Sequence, residues 1–295
     1  LQAPIEYIGH KAFAQCASLG DVTIYGNERT QLGGGSREYI FEGSNLDSLA
    51  VHNVPAIEYN AFRSTRTLGS LLVTNVTTLG IYFCTHCGHG SGVPFNATIT
   101  GHAETVWQGT ECLHDRLRVD VAGGSFDLSG CGGYGFLHST ISHLTLVGMS
   151  TIGTNALRYA TSLRSVSLPE TLKRIDSDAF RYCTDLAWPE LQAPIEYIGT
   201  KAFAQCASLG DVTIYGNERT QLGGSGRHYI FEGSNLDSLA VHNVPAIEYN
   251  AFRNTRTLGS LLVTNVTTLG NHFCCDCGKA SSTPFNATIT GHAET

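Results

Sequence analysis

The stretch IGHKAFAQCASLGDVTIYG, Ile8–Gly26, decides how this chain is read. Its second half, L-G-D-V-T-I-Y, alternates apolar and polar residues, the pattern of a strand with one buried face. Val22 and Ile24 are expected to point inward, with Thr23 and Tyr25 pointing outward. Its first half spaces Ile8, Ala12, Phe13 and Cys16 along a helical or tight-turn arc. The same phrase returns as IEYNAFRSTRTLGSLLVTN from Ile57, IGTNALRYATSLRSVSLPE from Ile152 and IDSDAFRYCTDLAWPEL from Ile175. A single unit of about 24 residues cannot close a core, but stacked units bury their apolar faces on one another.

A longer period encloses the short one. Residues 191–295 repeat residues 1–105 without a gap and differ from them at 13 positions. Strand anchors at Val22, Leu49, Leu71, Thr98, Val119, Leu144, Val166, Pro189 and Val212 divide the 190-residue period into eight coils. The expected organisation is one continuous solenoid over residues 1–295, with one full block at 1–190 and part of the next at 191–295. Near-identity of the blocks points to a window on a longer tandem array. Eight of the differences fall between Ile81/Asn271 and Val93/Thr283, and three more between Gly35/Ser225 and Glu38/His228. These inserts vary while strand and core positions do not, which marks them as exposed loops.

The I-x-x-x-A-F-x-x-C-x-x-L-x-x-V-x-I pattern resembles the BspA-like, or Treponema-type, leucine-rich repeats of surface proteins. That resemblance implies a right-handed solenoid of stacked coils, with a parallel β-sheet and a short helical or turn side. It also implies a cell-surface or extracellular role, adhesion or matrix binding, and no enzyme activity. The match is clear in four coils and weaker over 27–53 and 76–148, where glycine-rich inserts intrude.

Composition agrees with a folded chain. Hydrophobic residues make up 42% and charged residues 15% of it, far from the balance of a disordered segment. The formal charge of −7 gives no electrostatic reason to bind nucleic acid or acidic lipid. No apolar run reaches the ~18 residues of a membrane helix.

Motifs of chemistry dissolve on comparison of the two copies. CTHCGH at Cys84–His89 has the spacing of half a zinc site, but the second copy reads CCDCGK, with Asp276 for His86 and Lys279 for His89. An all-cysteine set of Cys84, Cys87, Cys112 and Cys131 remains open, as do disulfides among them and free buried thiols. GCGGYG at Gly130–Gly135 lacks the acid that a dinucleotide site needs about 20 residues on. HGSG at His89 becomes KASS and loses any nucleophile frame. No catalytic residue, cofactor or metal is expected.

Two further site assignments follow. Cys183 and Cys206 hold the same place in adjacent coils, 23 residues apart. Stacking sets such residues at the ~4.8 Å strand spacing, within disulfide reach, so a Cys183–Cys206 bridge is expected. Four N-x-T sequons, at Asn75, Asn96, Asn265 and Asn286, lie where strands end and are glycan acceptors if the chain is secreted. The expected function is an extracellular structural protein whose blocks self-assemble into a glycosylated filament or coat. The alternative is an adhesive arm gripping matrix or glycan through exposed positions such as Thr23, Tyr25 and Thr74.

Overall fold

The computed structural model describes residues 5–33, 39–65, 67–80, 83–84, 86–88, 95–107, 114–121, 125–126, 140–223, 229–282 and 284–291. They form two compact units, Leu1–Val147 and Gly148–Thr295. Each unit is a stack of coils in which strands pair in parallel with their counterparts in neighbouring coils. In the first unit the sheet runs through Gly20–Tyr25, Leu46–His52, Ser70–Leu79, Asn96–Trp107, His114–Val121 and Thr140–Val147. In the second it runs through Gly210–Tyr215, Leu236–His242, Ser260–Val266 and Asn286–Gly291. Two-residue strands such as Tyr7–Ile8, Gln31–Leu32 and Ala56–Ile57 pair in a second ladder.

The alternation read from V-T-I-Y holds. In the second copy Val212 and Ile214 are fully buried, while Tyr215 is 50% exposed. The inward column of the first unit runs Val22, Leu49, Leu71, Ala97, Leu117, Leu144. Two anchors therefore move from the sequence reading: Ala97 replaces Thr98, and Leu117 replaces Val119. Thr98 has the wrong parity, because its side chain faces out while Ala97 is buried.

The A-F arc is turn rather than helix, and no described residue is helical. Each arc carries two non-glycine residues at positive φ, four apart: Lys11 and Gln15, Asn155 and Tyr159, Asp178 and Tyr182, Lys201 and Gln205, Asn250 and Asn254. A left-handed residue cannot continue a right-handed helix. The amides between them close i→i−3 turns, as in Ala12 N–H to Gly9 and Ala14 N–H to Lys11. The alternate amides cross to the next coil, as in Phe180 N–H to Ala202 at 2.7 Å and Tyr182 N–H to Ala204 at 2.9 Å. Every second amide of the arc thus joins an inter-coil ladder.

Phenylalanines stack along that ladder. Phe180, Phe203, Phe231 and Phe252 follow one another with ring centroids 4.9, 5.7 and 6.1 Å apart. Trp188 leans on this column, 5.0 Å from Phe203 and 6.2 Å from Phe231. Buried hydroxyls stitch the coils where side chains must cross the core. Ser234 donates to the Phe203 carbonyl and accepts from Cys206 N–H at 2.9 Å, and Ser44 does the same for Phe13 and Cys16. Coils approach so closely that a Cβ on Gly199 would stand 2.6 Å from the backbone nitrogen of Ser177.

Phe203 is fully buried in the second unit, between Phe180 and Phe231, whereas Tyr215 on the same coil is 50% exposed. Phe203→Ala is expected to cost about 3–5 kcal/mol and Tyr215→Ala clearly less. Urea unfolding of the two variants checks this, and equal losses would contradict the packing described.

Candidate binding face

The outward side chains of the parallel sheet form rows across the coils. Tyr25 pairs with His52 and His52 with Thr74. The Tyr25 and His52 rings stack at 5.1 Å, and His52 Nδ1 lies 2.9 Å from Thr74 Oγ1. A second row holds Thr23, Ala50 and Leu72, and a third holds Asp21, Ser48 and Ser70. Ser48 donates to Asp21 at 2.6 Å. Among these, Tyr25 and Leu72 are the exposed large apolar side chains, and Asp21 and Ser70 are exposed beside them in the sheet. The second unit carries the same array. Tyr215 stacks on His242 at 5.1 Å, His242 Nδ1 lies 2.8 Å from Thr264 Oγ1, and Ser238 donates to Asp211 at 2.6 Å.

Where the strands end, asparagines take over. Asn53 and Asn75, and again Asn243 and Asn265, adopt positive φ, which asparagine tolerates better than most residues. Asn75 Nδ2 donates to Asn53 at 2.6 Å and Asn265 Nδ2 to Asn243 at 2.7 Å. In the second unit these side chains line a groove of about 280 Å³ with Glu218, Pro245 and Thr267. The first copy has the same residue types at Glu28, Asn53, Pro55, Asn75 and Thr77. Thr23, Tyr25 and Thr74 thus sit together, as their alternation implied. His52, Leu72 and the groove escaped the sequence reading, although the phrase V-H-N-V-P, repeated in both copies, places a ring and a turn at each strand end.

All four sequon asparagines are exposed. Asn75 and Asn265 sit where strand pairing slips by one residue, and Asn96 and Asn286 open their strands. A glycosylated amide keeps one N–H, so a glycan on Asn75 is compatible with its bond to Asn53.

The cysteines differ from the bridge expected across coils. Cys84 and Cys87 are bridged to each other, Cα atoms 5.4 Å apart, and so are Cys274 and Cys277 at 5.3 Å. This takes both local thiolates out of the four-cysteine set; Cys112 and Cys131 lie outside the described residues, as does Gly130–Gly135. Cys183 and Cys206 are free thiols. Each thiol donates to a carbonyl of the preceding coil, Cys183 to Leu157 and Cys206 to Phe180, both at 3.1 Å. The two sulfurs therefore point the same way along the stack instead of towards each other. Where the first copy has His86 and His89, the second forms an ion pair. Lys279 donates to Asp276 at 3.2 Å and holds that carboxyl below its usual range. Among the described residues, no three His, Cys, Asp or Glu side chains gather as a metal set, and no helix is long and apolar enough to cross a membrane.

Burial pushes the Cys206 thiol up to about 12, and burial beside Cys206 pushes Cys183 well above its ordinary value. A raised thiol value stabilises the folded chain fully below the ordinary 9.0, and that contribution is lost as pH climbs from there toward about 12. The urea midpoint of the second unit should fall over this window. At pH 8 in the native chain, iodoacetamide should label the half-exposed Cys16 and Cys275 and spare Cys183 and Cys206. Denaturant should open all four, which a disulfide between Cys183 and Cys206 would prevent.

Comparison with known proteins adds a family. A model described as "BspA type Leucine rich repeat region" matches in six copies, over residues 1–113, 129–258 and 225–293. No curated protein matches the chain. Among solved structures, the crystal structure of the pneumococcal vaccine antigen PcpA is similar, with 16% sequence identity and a TM-score of 0.36, over 96% of this chain and 84% of that one.

Proposed function

The chain belongs to the BspA-type leucine-rich repeat family, and on that basis we propose that it is a non-enzymatic protein of the cell surface or extracellular space. In this reading, tandem blocks continue one solenoid and build a glycosylated filament or coat. The observation that carries it is the residue-for-residue return of one outward array, Tyr25–His52–Thr74 and Tyr215–His242–Thr264, with the same ring stacking at 5.1 Å in both copies. Drift on a surface with a single ligand would be confined to neither copy, whereas a periodic assembly needs equivalent contacts at every step. Equivalent faces also suit multivalent attachment, in which repeated weak contacts multiply.

A second reading is favoured by the exposed Leu72 and Leu262, which lie two strands from Tyr25 and Tyr215 on the same outward face. A face with exposed aromatic and aliphatic side chains set among Ser and Thr is suited to gripping a matrix protein or glycan, and would make the chain an adhesive arm.

Electron microscopy of native material separates the two. Eight coils at the ~4.8 Å strand spacing advance about 38 Å, so long fibres with that axial repeat, or a slightly shorter one if the stack coils, are expected. Isolated rods with free ends would favour the adhesive arm. Peptide mapping after glycosidase treatment should convert Asn75, Asn96, Asn265 and Asn286 to Asp; an unchanged mass at all four removes the glycan from the proposal.

A further inference from the structure

The coils turn the corner between their two ladders at two different lengths. In the first unit, Tyr25, His52, Thr74 and Thr100 align in the strands, and Gln31, Ala56, Thr78 and Val106 align in the second ladder. Between these rows the outer two coils place five residues each, 26–30 and 101–105, and the middle two place three each, 53–55 and 75–77. The short corners are therefore recessed between longer ones. The second unit repeats the step, with five residues at 216–220 and three at 243–245 and 265–267.

The lining of the recess follows from these corners. Val54 and Val76, in the middle of the short corners, are buried, so the flanking Asn53, Pro55, Asn75 and Thr77 face out. Thr77 and Thr78 N–H both donate to the Pro55 carbonyl, at 2.9 and 2.8 Å, which pins the floor. The long corner stands above it as a lip with Glu28, or Glu218, at its tip. Asn217 N–H donates to Thr220 Oγ1 at 2.7 Å, Arg219 N–H donates to Asn217 Oδ1 at 2.8 Å, and the buried Thr220 donates to the Ile195 carbonyl at 2.6 Å. The first copy repeats the first two bonds, at Asn27 and Arg29, at 2.8 Å each. The lip is thus fixed before any ligand arrives. In the second unit the groove of about 280 Å³ falls just short of the ~300 Å³ at which pockets for drug-sized ligands begin. That is room for one sugar ring and not for a chain of them.

We infer that this recess seats the first sugar of the glycan carried by Asn75, and that its copy seats the first sugar on Asn265. The sequon amides lie on the floor itself, and the bonds of Asn75 to Asn53 and of Asn265 to Asn243 fix the point from which the glycan departs. The lining suits a pyranose: Glu28 or Glu218 accepts from its hydroxyls, Asn53 or Asn243 donates to them, and the proline ring faces its apolar side. Asn96 supplies the contrast. It stands at the far end of the strands, in the row of Asp21, Ser48 and Ser70, away from both corners. The inference rests on the chain being glycosylated.

The test is release of glycans from the native chain by an amidase that cleaves the sugar–asparagine bond, resolved by site through peptide mapping. Asn96 should lose its glycan roughly tenfold or more sooner than Asn75 and Asn265, the factor that one hydrogen bond to a charged group supplies. Prior denaturation should equalise the rates. Glu28→Gln keeps the bulk of the lip and removes the charge that strengthens its hydrogen bond, so it should speed release at Asn75 several-fold and leave Asn96 and Asn265 unchanged. Equal native rates at Asn75 and Asn96 overturn the seat. A rate at Asn75 indifferent to Glu28→Gln overturns it too, because a crowded corner then explains the protection. Glycan on Asn96 with none on Asn75 and Asn265 overturns the seat and leaves the chain glycosylated, whereas no glycan at any of the four sites removes the glycosylation on which it rests.

Discussion

The backbone of the turn arc is the constraint on which the rest of the structure depends. Main-chain amides buried in a protein must find partners, and an arc that is not a helix cannot supply them from within. Here half of them close tight turns and the other half cross to the adjacent coil. Left-handed residues four apart hold that alternation. For Tyr159 and Tyr182, a left-handed backbone costs roughly 1–2 kcal/mol each. Their rings stack at 4.8 Å, with Arg158 and Arg181 lying over them, which offsets part of that cost. Coils must then sit at a fixed separation, and the phenylalanine column, the small alanines and Gly199 follow from that separation.

In a stack made this way each level buries its face on the next, as Phe203 does between Phe180 and Phe231. Burial in this fold belongs to the pair of neighbouring coils, not to the residue. The outward rows obey a different rule. Their side chains touch across coils at the surface, and Tyr–His–Thr returns with the same ring spacing in both units.

The solenoid, the inward strand positions and the outward Thr23, Tyr25 and Thr74 were legible in the sequence, because a period-two strand leaves its parity in the letters. The turn arc was only half legible: I-x-x-x-A-F-x-x-C has apolar spacings that suit a helix as well as a turn, and nothing in Lys11, Gln15 or Tyr182 announces positive φ. Register drifted where the inserts weaken the pattern, moving the anchors from Thr98 to Ala97 and from Val119 to Leu117. The cysteines illustrate the limit of spacing arguments. Cys183 and Cys206 stand in adjacent coils as expected, but a distance between backbones says nothing of the direction in which each sulfur points.

By itself, then, the sequence determined that this chain is built of stacked coils, which residues face inward where the repeat is clear, and that one surface is presented twice. Periodicity carries that information because each coil repeats the same local physics. Only the tertiary structure decided which turn the arc adopts, that Cys84 pairs with Cys87 while Cys183 and Cys206 remain thiols, and that Trp188 leans on Phe203 and Phe231. Those outcomes depend on side-chain direction and on the presence of a neighbouring coil, and neither is written in a local run of residues.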